Sequence, residues 1–192
     1  MKGERCLSPK CAMVERPYNP GHKGKRRGRA LSEYGKELRE KQRLRNWYNL
    51  KEGQFKKYVK NTLSQKGKIE DAAEFLIQKL ENRLDNVVYR AGLAVSRQQA
   101  RQMVSHGHFL VNNKKVDVPS YGARKGDIIS LRAASQKKNI FQGIQAKLKK
   151  YKPPNWLSLD ADRVEVKVVG LPTLEEAAPP AEISTIFEFY SR

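Results

Sequence analysis

A chain of 192 residues with 39% hydrophobic residues has room for one large or two small domains with modest cores. Its 39 Lys+Arg against 20 Asp+Glu give a formal charge of +19 and a pI near 10.0, more than solubility requires, so a polyanion is the expected partner. No apolar run approaches the roughly 20 residues of a bilayer-spanning helix, no apolar leader is visible, and two cysteines are too few for a disulfide framework, which together predict a reducing, cytoplasmic setting with no membrane partner.

The charge is uneven along the chain. Residues 1–60 carry 18 Lys+Arg against 6 Asp+Glu, residues 61–154 carry 18 against 7, and residues 155–192 reverse the sign with 3 against 7. RNA would repel an acidic end, so that end is expected to face the protein's own basic part or a protein neighbour.

Residues 1–30 contain Pro9, Pro17, Pro20, four glycines and the run Lys23-Gly24-Lys25-Arg26-Arg27-Gly28-Arg29. Such a stretch buries too little apolar surface to order itself, which predicts a basic arm, either a solvated tail or one that folds against RNA through Lys23, Lys25, Arg26, Arg27 and Arg29. Cys6 and Cys11 have a spacing found in zinc sites, and His22 would make a third ligand, one short of a closed site. Two reduced thiols are the plainer reading.

Leu31 to Lys60 reads as helices broken near Leu50 to Gly53, with Ser32 as the first cap. Leu31, Tyr34 and Leu38 make one apolar face, and Phe55, Tyr58 and Val59 another. Around them lie Lys36, Arg39, Lys41, Arg43, Arg45, Lys56, Lys57 and Lys60, a pattern of aromatics among cations that suits phosphates and stacked bases. Packing is the favoured role for Trp47 and Tyr48.

An apolar stripe from Ile69 through Ala72, Leu76, Leu80, Leu84, Val88 and Ala91 predicts a helix that Gly92 stops. Ser96 with Gln99 forms a capping box for a second helix, about Arg97 to His106. Its Ala100, Met103 and Val104 face inward, while Arg97 and Arg101 share the opposite side and are expected to meet phosphates. After Gly107, Phe109-Leu110-Val111 and Val116-Asp117-Val118 flank a turn at Asn112 to Lys115, and Ile128 to Leu131 follows a second turn at Arg124 to Asp127. His106 and His108 sit where an imidazole can donate to a phosphate or stabilise a helix C-terminus.

From Ala133 to Tyr151, Ile140, Ile144 and Leu148 recur every four residues, predicting a basic amphipathic helix that Pro153-Pro154 ends. Trp156 to Leu159 and Val164 to Val168 alternate as strands. An acidic, proline-rich loop from Pro172 to Pro180 then leads to Ile183 to Tyr190, whose periodicity fits helix and strand equally. No GxSxG, P-loop, dinucleotide fingerprint or HExxH is present, so no catalytic constellation is predicted.

The order helix, turn, helix, hairpin with SRxxARxxVxxGxFxVNxKxV inside it resembles the RNA-binding module named after the fourth protein of the small ribosomal subunit. ENRLDNVVYRAG before it, VPSYGARKGD after it, RCLSPKCAMVERPYNPGHKGKRR near the start and FEFYSR at the end extend the resemblance over nearly the whole chain, to the bacterial ribosomal protein S-four family. The resemblance implies an α+β protein: a basic all-α domain at 1–81 completed by a C-terminal helix within 181–192, an RNA-binding module at 82–145, and a sheet extension with an acidic loop at 146–180.

It also implies a structural, non-catalytic constituent of the small subunit. Such a protein is a primary binder of small-subunit (16S) ribosomal RNA that nucleates assembly, neighbours small-subunit ribosomal protein five, affects decoding accuracy and in several cases represses its own messenger RNA. In the module the expected RNA contacts are Arg83, Ser96, Arg97, Arg101, His106, His108, Asn112, Lys114, Arg124 and Lys125. Many relatives bind zinc near Cys6 and Cys11 with an upstream cysteine pair. The chain is accordingly expected to be an N-terminally shortened version of the pattern, with no cofactor unless that pair exists. The rival readings are an RNA-modifying enzyme carrying the same module and another RNA- or DNA-binding regulator.

Overall fold

The computed structural model describes residues 8–18, 30–65 and 71–191. The predicted basic arm with Lys23, Lys25, Arg26, Arg27 and Arg29 lies outside them, as do Cys6, His22 and Ile69. The described chain is α+β, with helices before and after a five-stranded antiparallel sheet.

After a single helical turn, α1 (Ala12–Glu15), come α2 (Glu33–Trp47), α3 (Glu52–Leu63) and α4 (Ala72–Glu81). Ser32 Oγ accepts from Gly35 N at 3.2 Å, and Asp71 caps α4 by accepting from Ala73 N and Glu74 N at 2.7 and 3.2 Å, so the starts of α2 and α4 have side chains for their orphan amides. Leu44, Phe55, Val59, Leu76, Ile77 and Leu80 are fully buried between these helices. The expected apolar face through Leu31 and Tyr34 is instead 41% and 54% exposed. The buried stripe of α2 runs through Glu37, Lys41, Leu44 and, just past its end, Tyr48, because the C-terminal helix covers that side. This helix, α10 (Ile183–Ser191), lies along α2 and α3 and buries Ile183 and Ile186 in the same core.

The helix predicted to run unbroken to Ala91 is two, α4 and α5 (Leu84–Arg90). At the break Arg83 is extended and bridges Gly122. Leu84 N donates to Tyr121 O at 2.8 Å, Asp85 N to Pro119 O at 3.2 Å, and Ala123 N to Asn82 O at 2.8 Å. The loop carbonyls satisfy the orphan amides of α5, so the break leaves few buried backbone groups unmet. Hydrophobic spacing could not show it, because the apolar side continues across the kink.

α6 (Arg97–Ser105) begins at Ser96, whose Oγ accepts from Gln99 N at 3.2 Å, while Gln99 Oε1 accepts from Val95 N at 2.8 Å. The predicted box is thus half formed, its return bond falling one residue earlier. Gly107 turns the chain at φ +67 into β1 (Phe109–Val111).

The hairpin is tighter than expected. Asn112 and Asn113 take φ of 49° and 64°, a two-residue turn, so β2 is Lys114–Lys115 and not the Val116 to Val118 segment. Asn112 also donates to Asp127 Oδ1 at 2.9 Å and accepts from Ile128 N at 3.0 Å, fastening the turn to β3 (Ile128–Leu131).

The predicted helix from Ala133 to Tyr151 is broken into α7 (Ala133–Gln136), a 3-10 turn (Asn139–Phe141) and α8 (Ile144–Lys149). Gly143 at φ +70 interrupts it, and Phe141, not Ile140, enters the core. β4 (Leu157–Asp160) and β5 (Glu165–Val168) complete the order β2-β1-β3-β5-β4. Their inward Leu157, Val166 and Val168 join Phe109, Ile129, Leu131 and the apolar sides of α5 and α6 in a second core. The expected acidic loop contains a turn of helix, α9 (Leu174–Ala177), which Thr173 caps.

Ile186 ties the end of the chain to the first core with no exposed surface. Ile186→Ala should cost about 2–5 kcal/mol, read as a lower midpoint in urea unfolding with unchanged slope.

Candidate nucleic-acid interface

Two sets of cations emerge once the chain is folded. In the first half Arg39, Lys56, Lys57 and Lys60 are exposed, with no carboxylate within 4.0 Å among the described residues. The lysines lie opposite the buried Phe55 and Val59 of α3. Lys36 and Arg43 are also exposed, each with a carboxylate three residues away, Glu33 at 3.1 Å and Glu40 at 3.3 Å. Such surface pairs are weak and yield readily to a phosphate. In the second half His106, Lys114, Arg124 and Lys125 are exposed. Lys115 lies over Gly107, 3.8 Å from Asp117.

The second set is turned inward, which corrects several expectations. Arg83 is 1% exposed: its Nε and Nη2 donate to Asp85 at 3.0 and 2.7 Å, and its Nη1 to Tyr58 Oη at 2.8 Å. Burial opposes its charge, but Asp85 and Tyr58 hold its pKa above the ordinary value. Lys41 donates to Glu52 at 2.7 Å beneath the Phe189 ring, 4.6 Å away. Arg45 and Tyr190 reach the same carboxylate at 3.2 and 2.9 Å. Burial pushes Glu52 up, and these hydrogen bonds outweigh it and hold the carboxyl below its usual range. His108 is buried with Nδ1 3.0 Å from Ser135 Oγ. Burial first, and then the neighbouring Lys138, His106 and Arg132, lower its pKa, and its ring packs in the core instead of facing solvent.

Arg97 and Arg101 do share the side of α6 away from the module's own core, yet that side faces the first half of the protein and not solvent. Arg101 donates to Asn49 O at 2.7 Å and Gln54 Oε1 at 3.3 Å, serving the chain just past the end of α2. Arg97 lies among the rings of Tyr89, Trp47 and Tyr48 at 4.5, 4.7 and 5.2 Å and donates to Asn86 Oδ1 at 2.8 Å. Burial lowers its pKa, and Glu81 opposes the shift. Periodicity marked the side correctly; it carried no sign that another set of helices covers it. The favoured packing role of Trp47 and Tyr48 agrees with this arrangement.

At the centre stands a residue that the sequence did not single out. Glu81, with no exposed surface, accepts from Tyr48 Oη at 2.8 Å, Asn86 Nδ2 at 2.5 Å, and Arg90 Nε and Nη2 at 2.9 and 2.8 Å. Arg97 Nη2 is 4.0 Å away. Arg90 reaches on to Ala177 O at 2.8 Å, and Glu81 more than offsets what burial does to its charge, so its pKa rises. A glutamate inside an apolar stripe was the one available signal.

Among the described residues no group of three His, Cys, Asp or Glu could hold a metal. Cys11 is buried at the head of α1, and the residues expected beside it are not described.

A nucleic-acid-binding protein is the class these features suit: exposed cations on two packed halves joined by a buried ionic cluster. Residues 82–129 match the S4 domain, an RNA-binding module, and residues 1–81 match the ribosomal protein S4/S9 N-terminal domain. The chain is 46% identical over 192 residues to the small ribosomal subunit protein uS4 of Acetivibrio thermocellus, and 45% over 192 and 194 residues to those of Thermus thermophilus and Thermotoga maritima, covering 100% of this chain and 90% of each relative. The chain belongs to the uS4 family of ribosomal proteins, which are structural and not enzymes.

Two tests follow from the buried cluster. Glu81→Gln leaves two guanidinium groups without their counter-charge and should cost about 3–5 kcal/mol, measured by chemical unfolding. Tyr48 is held well above its ordinary 10.0 by burial first and by Glu81 second. A raised pKa contributes stability that is complete below the unfolded value and lost as pH climbs toward the folded one, because only the unfolded chain ionises in that window. Between about pH 9 and about pH 11 the wild type should therefore lose more stability than Tyr48→Phe.

Proposed function

We propose that this protein is a structural constituent of the small ribosomal subunit in the cytoplasm that binds small-subunit ribosomal RNA directly. The observation that carries the reading is the pairing of two exposed cationic surfaces, one around Lys56, Lys57 and Lys60 and one around Arg124 and Lys125, with a buried ionic cluster fixing one half against the other. Lys and Arg on both surfaces neutralise phosphates where RNA segments converge, lowering the RNA's self-repulsion and favouring one geometry. Binding of this kind requires little other protein, so the protein joins early in assembly and nucleates the fold of its RNA. Small-subunit ribosomal protein five is its expected neighbour. The C-terminal part, with seven acidic residues against three basic ones over 155–192, suits a protein contact, through which the pair would influence decoding accuracy. Its own messenger RNA is a further target where that RNA copies the ribosomal site.

Zinc is proposed only for a chain that also supplies an upstream cysteine pair. Four thiolates close a tetrahedral site, whereas Cys6 and Cys11 offer two. Metal analysis of the purified chain should find much less than one zinc per protein, and one tightly held zinc would overturn this.

Filter binding to a small-subunit ribosomal RNA transcript tests the main reading. Each neutralised phosphate should contribute a slope of roughly 0.7 to 0.9 in log affinity against log salt, and about six contacts are expected. Lys56→Ala with Lys57→Ala should shallow the slope by about 1.5 without changing the melt. Structured ribosomal RNA should outcompete duplex DNA at every salt concentration. Equal competition would refute specific RNA recognition.

A further inference from the structure

We propose that the groove at the junction of α4 and the 121–125 loop is a subsite for one unstacked nucleotide of the bound RNA. This rests on the RNA-binding reading and assigns it a place and a chemistry.

The groove encloses about 500 Å³, enough for a nucleotide and within the range of small-ligand sites. Lys79, Arg124 and Lys125 line it, and none of its lining residues is acidic, although the chain has 20 Asp and Glu. The carboxylates nearest in sequence are engaged elsewhere: Glu81 accepts from Tyr48 and Arg90, and Asp127 accepts from Arg124 N at 2.8 Å and from Asn112 Nδ2 at 2.9 Å. Three unopposed cations on one small concavity suit a phosphate. Tyr121 supplies an aromatic wall, as sites for splayed bases do.

Asn82 supplies the specific element. It lines the groove, and its Oδ1 is a buried acceptor with no hydrogen-bond partner among the described residues. Unmet buried acceptors are rare and point to a missing partner. The backbone carbonyl at this position is separately occupied, Asn82 O accepting from Ala123 N at 2.8 Å. A carboxamide offers one acceptor and two donors, which matches the edge of a base that carries an exocyclic amine, adenine above all. Duplex RNA keeps such edges paired, so the occupant is an extruded or loop nucleotide. Gly122 completes the lining: a Cβ built there meets nothing within 4 Å, so the backbone leaves room at this point for a ribose or base.

That open space supplies a test that changes neither charge nor fold. Gly122→Leu fills the groove, while Gly122→Ala barely narrows it. The full chain is bound to a small-subunit ribosomal RNA transcript, with affinity measured by filter binding and base accessibility read nucleotide by nucleotide by chemical probing. The wild type should protect one or two unpaired nucleotides. Gly122→Leu should expose them and weaken binding roughly tenfold, Gly122→Ala should do neither, and affinity for a short duplex RNA should be unchanged throughout. Lys56→Ala with Lys57→Ala, which do not line the groove, should weaken binding while the protection persists. If Gly122→Leu melts differently from the wild type, Asn82→Ala takes its place and should release the same nucleotides. Protection and affinity that survive the substitution overturn the subsite while RNA binding stands. A wild type with no affinity for the transcript overturns the RNA-binding reading itself, and the subsite with it.

Discussion

The fold depends on a single buried carboxylate. Glu81 ends α4, in the first core, and its partners Asn86, Arg90 and Arg97 belong to the second. A carboxylate withdrawn from water is costly unless its lone pairs are filled, and here hydroxyl, amide and guanidinium groups from both sides fill them. Tyr48 meets the carboxylate from its own half, while Asn86 and Arg90 reach it from the other. Aliphatic side chains could hold the halves together in many registers, whereas directed bonds to one oxygen pair allow few. The buried polar cluster therefore gives orientation more than it gives net stability.

Around this point the chain uses its cations in two ways. Arg83, Arg90, Arg97 and Lys41 are inside, each against a carboxylate or between rings. Three carboxylates, Asp85, Glu81 and Glu52, face these four cations, so most of their charge is already subtracted in the formal excess of +19. The surface excess then resides in residues such as Lys56, Lys57, Arg124 and Lys125, whose charged groups face no carboxylate within 4.0 Å among the described residues. With the halves fixed, a polyanion supplies the counter-charge. The same rigidity that stabilises the free protein keeps its charges waiting at set positions, which lowers the ordering cost of binding.

Much of the fold was legible beforehand because its signals are local. Ser32 and Ser96 cap helices, Gly92 and Gly107 take left-handed conformations, and Asn112 turns the hairpin, each read from residue chemistry alone. The errors share a different origin. The kink at Asn82 and Arg83 is held by Tyr121 and Pro119, nearly forty positions on, and the side of α6 bearing Arg97 is covered by Trp47 and Tyr48, fifty positions back. Hydrophobic period records which side of a helix leaves its nearest core. It is silent about a second core that arrives from elsewhere in the chain.

The same limit explains why basic residues were over-assigned to RNA. Arginine is the residue best suited to both tasks, because its planar fork pairs with phosphate and with carboxylate and its flat face lies equally well on a base or on tyrosine. SRxxAR in a basic sequence therefore reads as an RNA contact, and Arg97 has the chemistry for it. What decides is the surrounding geometry: three aromatic rings within 5.2 Å and a carboxylate 4.0 Å away occupy the surroundings of the same guanidinium. Lysine on an exposed helix face beside no carboxylate, as in Lys56 and Lys57, has fewer internal uses, since its point charge gains little from a ring or a fork. In a chain of this kind exposed lysines are the better guide to the outer contacts, and arginines that interrupt an apolar or aromatic pattern are the better guide to how the halves are joined.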